Sequence, residues 1–210
     1  MNIGIIGATG KAGKLITQEA LNRGHKVTAI VRNSSKVDTP EVSVVEKDIF
    51  DITAEDLAPY EVVVNAFGSF EGEPYVQAGH VLIPALQKID TKMIVVGGAA
   101  SLFVDEDKTT RLIDTPEFPD AYKPMAGGMA KLLTQLEQAE GITWTFLSPA
   151  AMFDPDGPKT GSYETGKDHL MMNKKGDSYI SYPDYAIAVL DEIENPQHVN
   201  ERFTIVGEAE

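Results

Sequence analysis

Short apolar runs alternate along this chain with segments whose apolar positions recur every three or four residues, the pattern of buried parallel strands joined by helical crossovers. Residues 3–6 form a continuous apolar run and predict a buried strand. Leu15, Ile16, Ala20 and Leu21 then fall at helical spacing, Gly24 stops the helix, and residues 27–31 predict a second strand. Further strands are expected at 42–45, 61–66, 92–96, 143–147 and 202–206, with a short one at 179–181. Between them, Asp51 or Thr53 caps a brief helix ending near Leu57, and Pro74 opens a helix to Lys88 that Pro84 bends. Met125, Met129, Leu132, Leu133, Leu136 and Ala139 mark a helix closed by Gly141, and Pro183 begins one running to Ile193.

Two stretches break the alternation. Residues 97–120 are polar and too long for a simple connector, so they read as a lid or insertion. Residues 150–175 are rich in Gly, Pro, Asp and Lys and predict loops and short strands beside the main sheet. The expectation is an α/β fold, a doubly wound parallel sheet of Rossmann type. Residues 1–210 would form one dinucleotide-binding domain, with 150–182 as a small substrate-side region.

The turn between the first strand and helix is Gly7-Ala8-Thr9-Gly10-Lys11-Ala12-Gly13. Glycine at positions 7 and 10 lets backbone approach a pyrophosphate, and Gly13 lets the helix pack closely on the strand. The free N–H groups and dipole of that helix attract anions. Thr9, Gly10, Lys11 and Ala12 therefore join Gly7 and Gly13 as expected dinucleotide contacts.

The second strand ends at Arg32-Asn33, where an acidic residue would select the ribose hydroxyls of NAD. A guanidinium instead pairs with a 2′-phosphate and stacks on adenine, so Arg32, supported by Asn33, predicts NADP(H) in preference to NAD(H). Asp48 and Ile49 are expected at the adenine edge, and Ala66, Phe67 and Gly68 along the path of the nicotinamide ribose. Gly97 closes the fifth strand on the cofactor side, and Lys131 is a candidate for the ribose. Ser148, Pro149 and Ala150 follow the sixth strand at the nicotinamide end.

A formal charge of −14 argues against nucleic acid or an anionic membrane as partner. With no cysteine, disulfides and thiolate sites are excluded and a reducing, cytoplasmic setting is expected. The four histidines are widely spaced, so no metal site is expected. No run is long enough to span a bilayer, and no secretory signal is expected.

The glycine turn, Val31-Arg32-Asn33, Lys47-Asp48-Ile49-Phe50-Asp51, Asn65-Ala66-Phe67-Gly68, the Val-Val-Gly-Gly-Ala-Ala-Ser-Leu run at 95–102 and the Tyr-Ile-Ser-Tyr-Pro-Asp-Tyr-Ala run at 179–186 together resemble the atypical short-chain dehydrogenases. Within that group the chain is similar to the NmrA-like and biliverdin-reductase-B-like branch, which includes NADH-flavin reductases. The resemblance spans nearly the whole chain and implies either a reductase or, through NmrA, a dinucleotide-sensing module that does not turn over.

Ordinary short-chain dehydrogenases use a Tyr and a Lys four residues later on a helix, the ammonium lowering the phenol pKa. Only Tyr163 and Lys167 have that spacing, and they lie in a turn-rich segment. Tyr122, where the pair belongs, is followed four positions later by Ala126. Carbonyl reduction needs an acid for the developing alkoxide, whereas a flavin or quinone accepts hydride and takes its proton from solvent. The sequence therefore predicts an NADPH-dependent reductase of a small planar acceptor, with flavin as a possible substrate. Ser101 and Tyr122 are the candidate catalytic residues, Ser101 as a hydrogen-bond donor to substrate, while Tyr122 and Phe153 could stack on a planar ring and Met125 and Met152 adapt to one. The sequence leaves the oligomeric state open.

Overall fold

A computed structural model describes residues 1–209. Its strands are β1 (Asn2–Ile6), β2 (Lys26–Val31), β3 (Ser43–Glu46), β4 (Val62–Asn65), β5 (Lys92–Val96), β6 (Trp144–Ser148), β7 (Met152–Asp154), β8 (Glu164–Gly166), β9 (Tyr179–Ser181) and β10 (Glu201–Val206). Its α-helices are α1 (Lys11–Asn22), α2 (Ala54–Leu57), α3 (Glu73–Leu86), α4 (Lys123–Gln138) and α5 (Tyr182–Glu194).

The main sheet has the order β3-β2-β1-β4-β5-β6-β10-β8. Every pairing in it is parallel except β10 with β8. This is the doubly wound Rossmann arrangement, with the chain leaving β1 toward β2 on one side and returning to β4 on the other. Strand residues point alternately to the two faces. Ile3, Ile5, Val62, Val64 and Ile94 pack with α1 and α5 in one core. Ile6, Val63, Met93, Val95 and Phe146 pack with α3 and α4 in the other. Continuous apolar runs were thus the correct signature, because both faces of each central strand are covered.

The region after β6 differs from expectation. β8 joins the main sheet as an antiparallel edge strand, while β7 and β9 form a separate two-stranded parallel pair. Asp154 and Asp168 in this region are both engaged. Tyr179 donates to Asp154 Oδ2 at 2.9 Å, and Asp168 is held by Lys108 and Arg202.

The 97–120 stretch is tied down at its root rather than free. Phe103 N–H donates to the Asp168 carbonyl at 2.8 Å, and Leu170 N–H donates back to the Phe103 carbonyl at 2.9 Å. Leu102 is fully buried. α5 is anchored as firmly: its Ser181 cap accepts from Asp184 N–H, and the buried Tyr185 hydroxyl donates to the Leu147 carbonyl at 2.7 Å. That bond ties the start of α5 to the carboxyl end of β6, where the cleft lies.

Candidate functional site

The site begins where β1 ends. Gly7 has φ +76°, a left-handed conformation that costs other residues strain, and a Cβ there would stand 2.6 Å from the Ala66 carbonyl oxygen. Its N–H donates to Ile30 O at 3.1 Å, and Gly10 N–H donates to Gly7 O at 2.9 Å to close the turn. The turn is therefore wedged between the carboxyl ends of β2 and β4, at the point where strand order reverses. A Cβ on Gly13 would overlap the Gly7 carbonyl, so that glycine sets how closely α1 lies against the turn.

α1 starts at Lys11 with no side-chain cap and no acidic residue in its first turn. Its leading N–H groups and positive dipole end are uncompensated by protein carboxylates. The same turn that excludes side chains thus leaves a cradle for an anion.

From it opens a cleft of about 1180 Å³. Its two halves differ in chemistry. Around the turn and the ends of β2 and β3 it is lined by Lys11, Arg32, Lys36 and Lys47. Lys47 pairs with Asp56 at 2.6 Å, whereas Arg32, Lys11 and Lys36 form no side-chain ion pair among the described residues. Past the ends of β5 and β6 the lining turns apolar and aromatic, with Leu112, Phe118, Tyr122, Met125, Phe153 and Tyr182.

Of the residues expected to bind the cofactor or act in catalysis, Gly7, Thr9, Gly10, Lys11, Ala12, Arg32, Asn33, Ile49, Ala66, Phe67, Gly68, Gly97, Tyr122, Pro149 and Ala150 all line this one cleft. Five do not. Gly13 lies beneath the turn as a packing position. Asp48 instead caps the short helical turn 49–51, its Oδ1 accepting from Phe50 N–H at 3.1 Å. Lys131 is exposed on α4 outside the lining, and Ser148 is fully buried with no hydrogen-bond partner for its Oγ among the described residues.

Ser101 is the fifth, and its placement corrects the idea of a substrate contact. It is buried, and its Oγ accepts from Arg202 Nη1 at 3.1 Å. Arg202 also bonds Asp168 Oδ1 through Nε at 3.0 Å. Burial pushes the Asp168 carboxyl upward, but hydrogen bonds from Lys108 and Arg202 outweigh it and hold the pKa below the ordinary carboxylate range. Ser101 therefore belongs to a polar lock behind the cleft.

The Tyr163 and Lys167 pair is likewise split: Tyr163 donates to Asp191 at 2.6 Å and Lys167 reaches Glu201 at 3.3 Å. Neither lines the cleft. Sequence reasoning missed Tyr182, Phe118, Leu112, Ser69 and Phe70 in the lining. The signal for Tyr182 was present in the 179–186 run, where the residue after a strand end opens a helix toward the cleft.

The sequence matches the description of NAD(P)H-binding proteins over residues 7–196. This chain belongs to that NAD(P)H-binding family. Membership agrees with the resemblance to the atypical short-chain dehydrogenases carried by the glycine turn and the runs at 95–102 and 179–186. An uncharacterised Bacillus subtilis protein, YwnB, is 61% identical over 213 residues, with both chains covered in full. A Streptococcus pneumoniae structure named as a candidate NADH-flavin reductase superposes with TM-score 0.93 at 42% identity, covering 99% of this chain and 100% of that one. A Bacteroides thetaiotaomicron structure named as a candidate epimerase gives 0.88 at 35% identity, covering 98% and 96%. The glycine turn and the cleft lie at the carboxyl ends of the parallel strands, where strand order reverses.

Proposed function

We propose that this protein is an NADPH-dependent reductase that passes hydride to a small planar acceptor such as a flavin or quinone. The observation that carries the reading is the division of one cleft into a cationic half and an uncharged aromatic half. Its volume exceeds the range of about 300–1,000 Å³ usual for a single small-molecule site, which suits a dinucleotide and a second ring together.

The turn at 7–10 and the first N–H groups of α1 hold the pyrophosphate, and the close backbone contact of Gly7 with Ala66 keeps that turn seated at the end of β4. Arg32 and Lys36 pair with the 2′-phosphate and so favour NADPH over NADH. Gly97, Pro149 and Ala150 flank the nicotinamide end, where they bring backbone and no titratable group. Bound NADPH supplies the hydride, and the acceptor takes its balancing proton from solvent. The work of the chain is orientation: Tyr182, Phe153, Tyr122 and Met125 hold a flat ring and displace water from its faces. Among the described residues, no tyrosine of the cleft lining is followed four positions later by lysine, which weighs against epimerase or alcohol chemistry.

Purified protein mixed with NADPH and either riboflavin or a quinone, followed at the NADPH absorbance, tests the reading. Steady acceptor-dependent oxidation is expected. Tight discrimination between NADPH and NADP⁺ without turnover on any flavin or quinone would replace it with the dinucleotide-sensing role.

A further inference from the structure

The acceptor half of the cleft has a charge pattern that narrows what can enter it. From Ala66 onward, no described residue of the lining carries a formal charge; its cations all come from the dinucleotide half. The segments that carry the aromatic wall are acidic outside it. Phe70 is followed by Glu71 and Glu73, and Leu112, Phe118 and Tyr122 are interleaved with Asp114, Glu117 and Asp120; all five acids are exposed. Against these acids the same segments offer Lys123, already paired with Asp120 at 2.7 Å. Arg111, next in line, sits over the Phe103 ring at 5.8 Å.

Among the tyrosines that line this uncharged space, Tyr182 is backed by two further rings. Tyr182 lines the cleft with its ring 3.9 Å, centroid to centroid, from that of Phe153, which in turn packs 4.7 Å from buried Tyr185. The Tyr182 hydroxyl makes no hydrogen bond among the described residues. Burial raises its pKa above the ordinary tyrosine value, so it carries its proton at neutral pH and can donate.

We propose that the acceptor subsite is built for an uncharged, carbonyl-bearing planar ring, with Tyr182 donating a hydrogen bond to it and the acidic mouth turning away acceptors that carry phosphate or carboxylate groups. The inference rests on the reductase reading for the identity of the second occupant. Its physical basis is that repulsion between the mouth and an anionic tail acts through water over roughly a Debye length of 8–10 Å, so it is modest and sensitive to salt. The half-buried Tyr182 hydroxyl contributes more locally, because a ring laid over it without an acceptor would leave the donor unmet, a cost that a ring carbonyl removes.

Riboflavin and FMN differ by one phosphate and make the test. Both are titrated into the NADP⁺-saturated protein, with binding read from flavin fluorescence. At low salt, riboflavin is expected to bind at least about fivefold more tightly than FMN, the gap narrowing as salt rises and in the double variant Glu71→Gln/Glu117→Gln. Tyr182→Phe should weaken riboflavin about fivefold or more while leaving the affinity for NADP⁺ unchanged. FMN binding as tightly as riboflavin at low salt, a gap indifferent to salt and to the two glutamates, or no riboflavin binding at all would overturn the proposal. Riboflavin bound with this charge dependence but never reduced by NADPH would support the subsite and remove the reductase reading alone.

Discussion

A Cβ on Gly7 would stand 2.6 Å from the carbonyl oxygen of Ala66, so the turn after β1 and the end of β4 touch backbone to backbone. Contact this close brings the glycine turn beside Ala66 and Phe67, which line the cleft on its way toward the aromatic half. Gly7→Ala would meet both that clash and the positive φ. It should cost about 2 kcal/mol or more in a urea titration, and NADPH binding should fall with it.

Arg32 should decide between the two dinucleotides. Its guanidinium lines the cleft without a protein ion pair among the described residues, while a carboxylate at that place would repel a 2′-phosphate. Arg32→Asp is expected to lower the ratio of NADPH to NADH affinity by about tenfold or more, as the loss of a charge-assisted hydrogen bond implies. Titration of both dinucleotides against both proteins provides the measurement, and an unchanged ratio would remove Arg32 from the specificity argument.

The lock formed by Asp168, Arg202 and Ser101 should govern acid stability. Because the folded-state pKa of Asp168 lies below its unfolded value of about 3.8, its contribution is fully present above that value and is lost as pH falls through the lower, folded one. Asp168→Asn should therefore destabilise the protein at neutral pH by about 2 kcal/mol, less than for a fully buried pair because the carboxyl is about a third exposed. Thermal melts from pH 7 to pH 3 should show the gap between the two proteins closing at the acid end.

Tyr163 and Lys167 should be dispensable for chemistry. Their side chains point to Asp191 and Glu201, so Tyr163→Phe with Lys167→Met is expected to keep acceptor-dependent NADPH oxidation within about twofold. The stability loss should be about 1 kcal/mol, the size of one hydrogen bond. A collapse of kcat without unfolding would mean that the pair acts in the reaction after all.

The central sheet and the glycine turn were legible because their causes are local. A strand buried on both faces must be apolar throughout, and a turn that meets other backbone must be glycine. β8 was not legible as part of the main sheet, since Glu164-Thr165-Gly166 has no apolar pattern and joins β10 by main-chain pairing at an edge. Ser101 misled for the opposite reason. Its place after β5 suggested access to the cleft, but Arg202, a hundred and one residues away, covers its hydroxyl. Tyr182 escaped notice because a tyrosine opening a helix looks like any other first-turn residue until Phe153 is seen beside it. Long-range polar pairing leaves no periodic trace.

The near-contact of α3 and α4 has a mechanical meaning. A Cβ on Gly128 would run into the backbone of Gly72, so the two helices are riveted at a point two residues from Phe70 and three from Met125. Segments that line the aromatic half are thus fastened together close to their base, and they cannot part like jaws without pulling that rivet. The frame keeps its gauge at the base, while at its tip Phe70 stands 87% exposed.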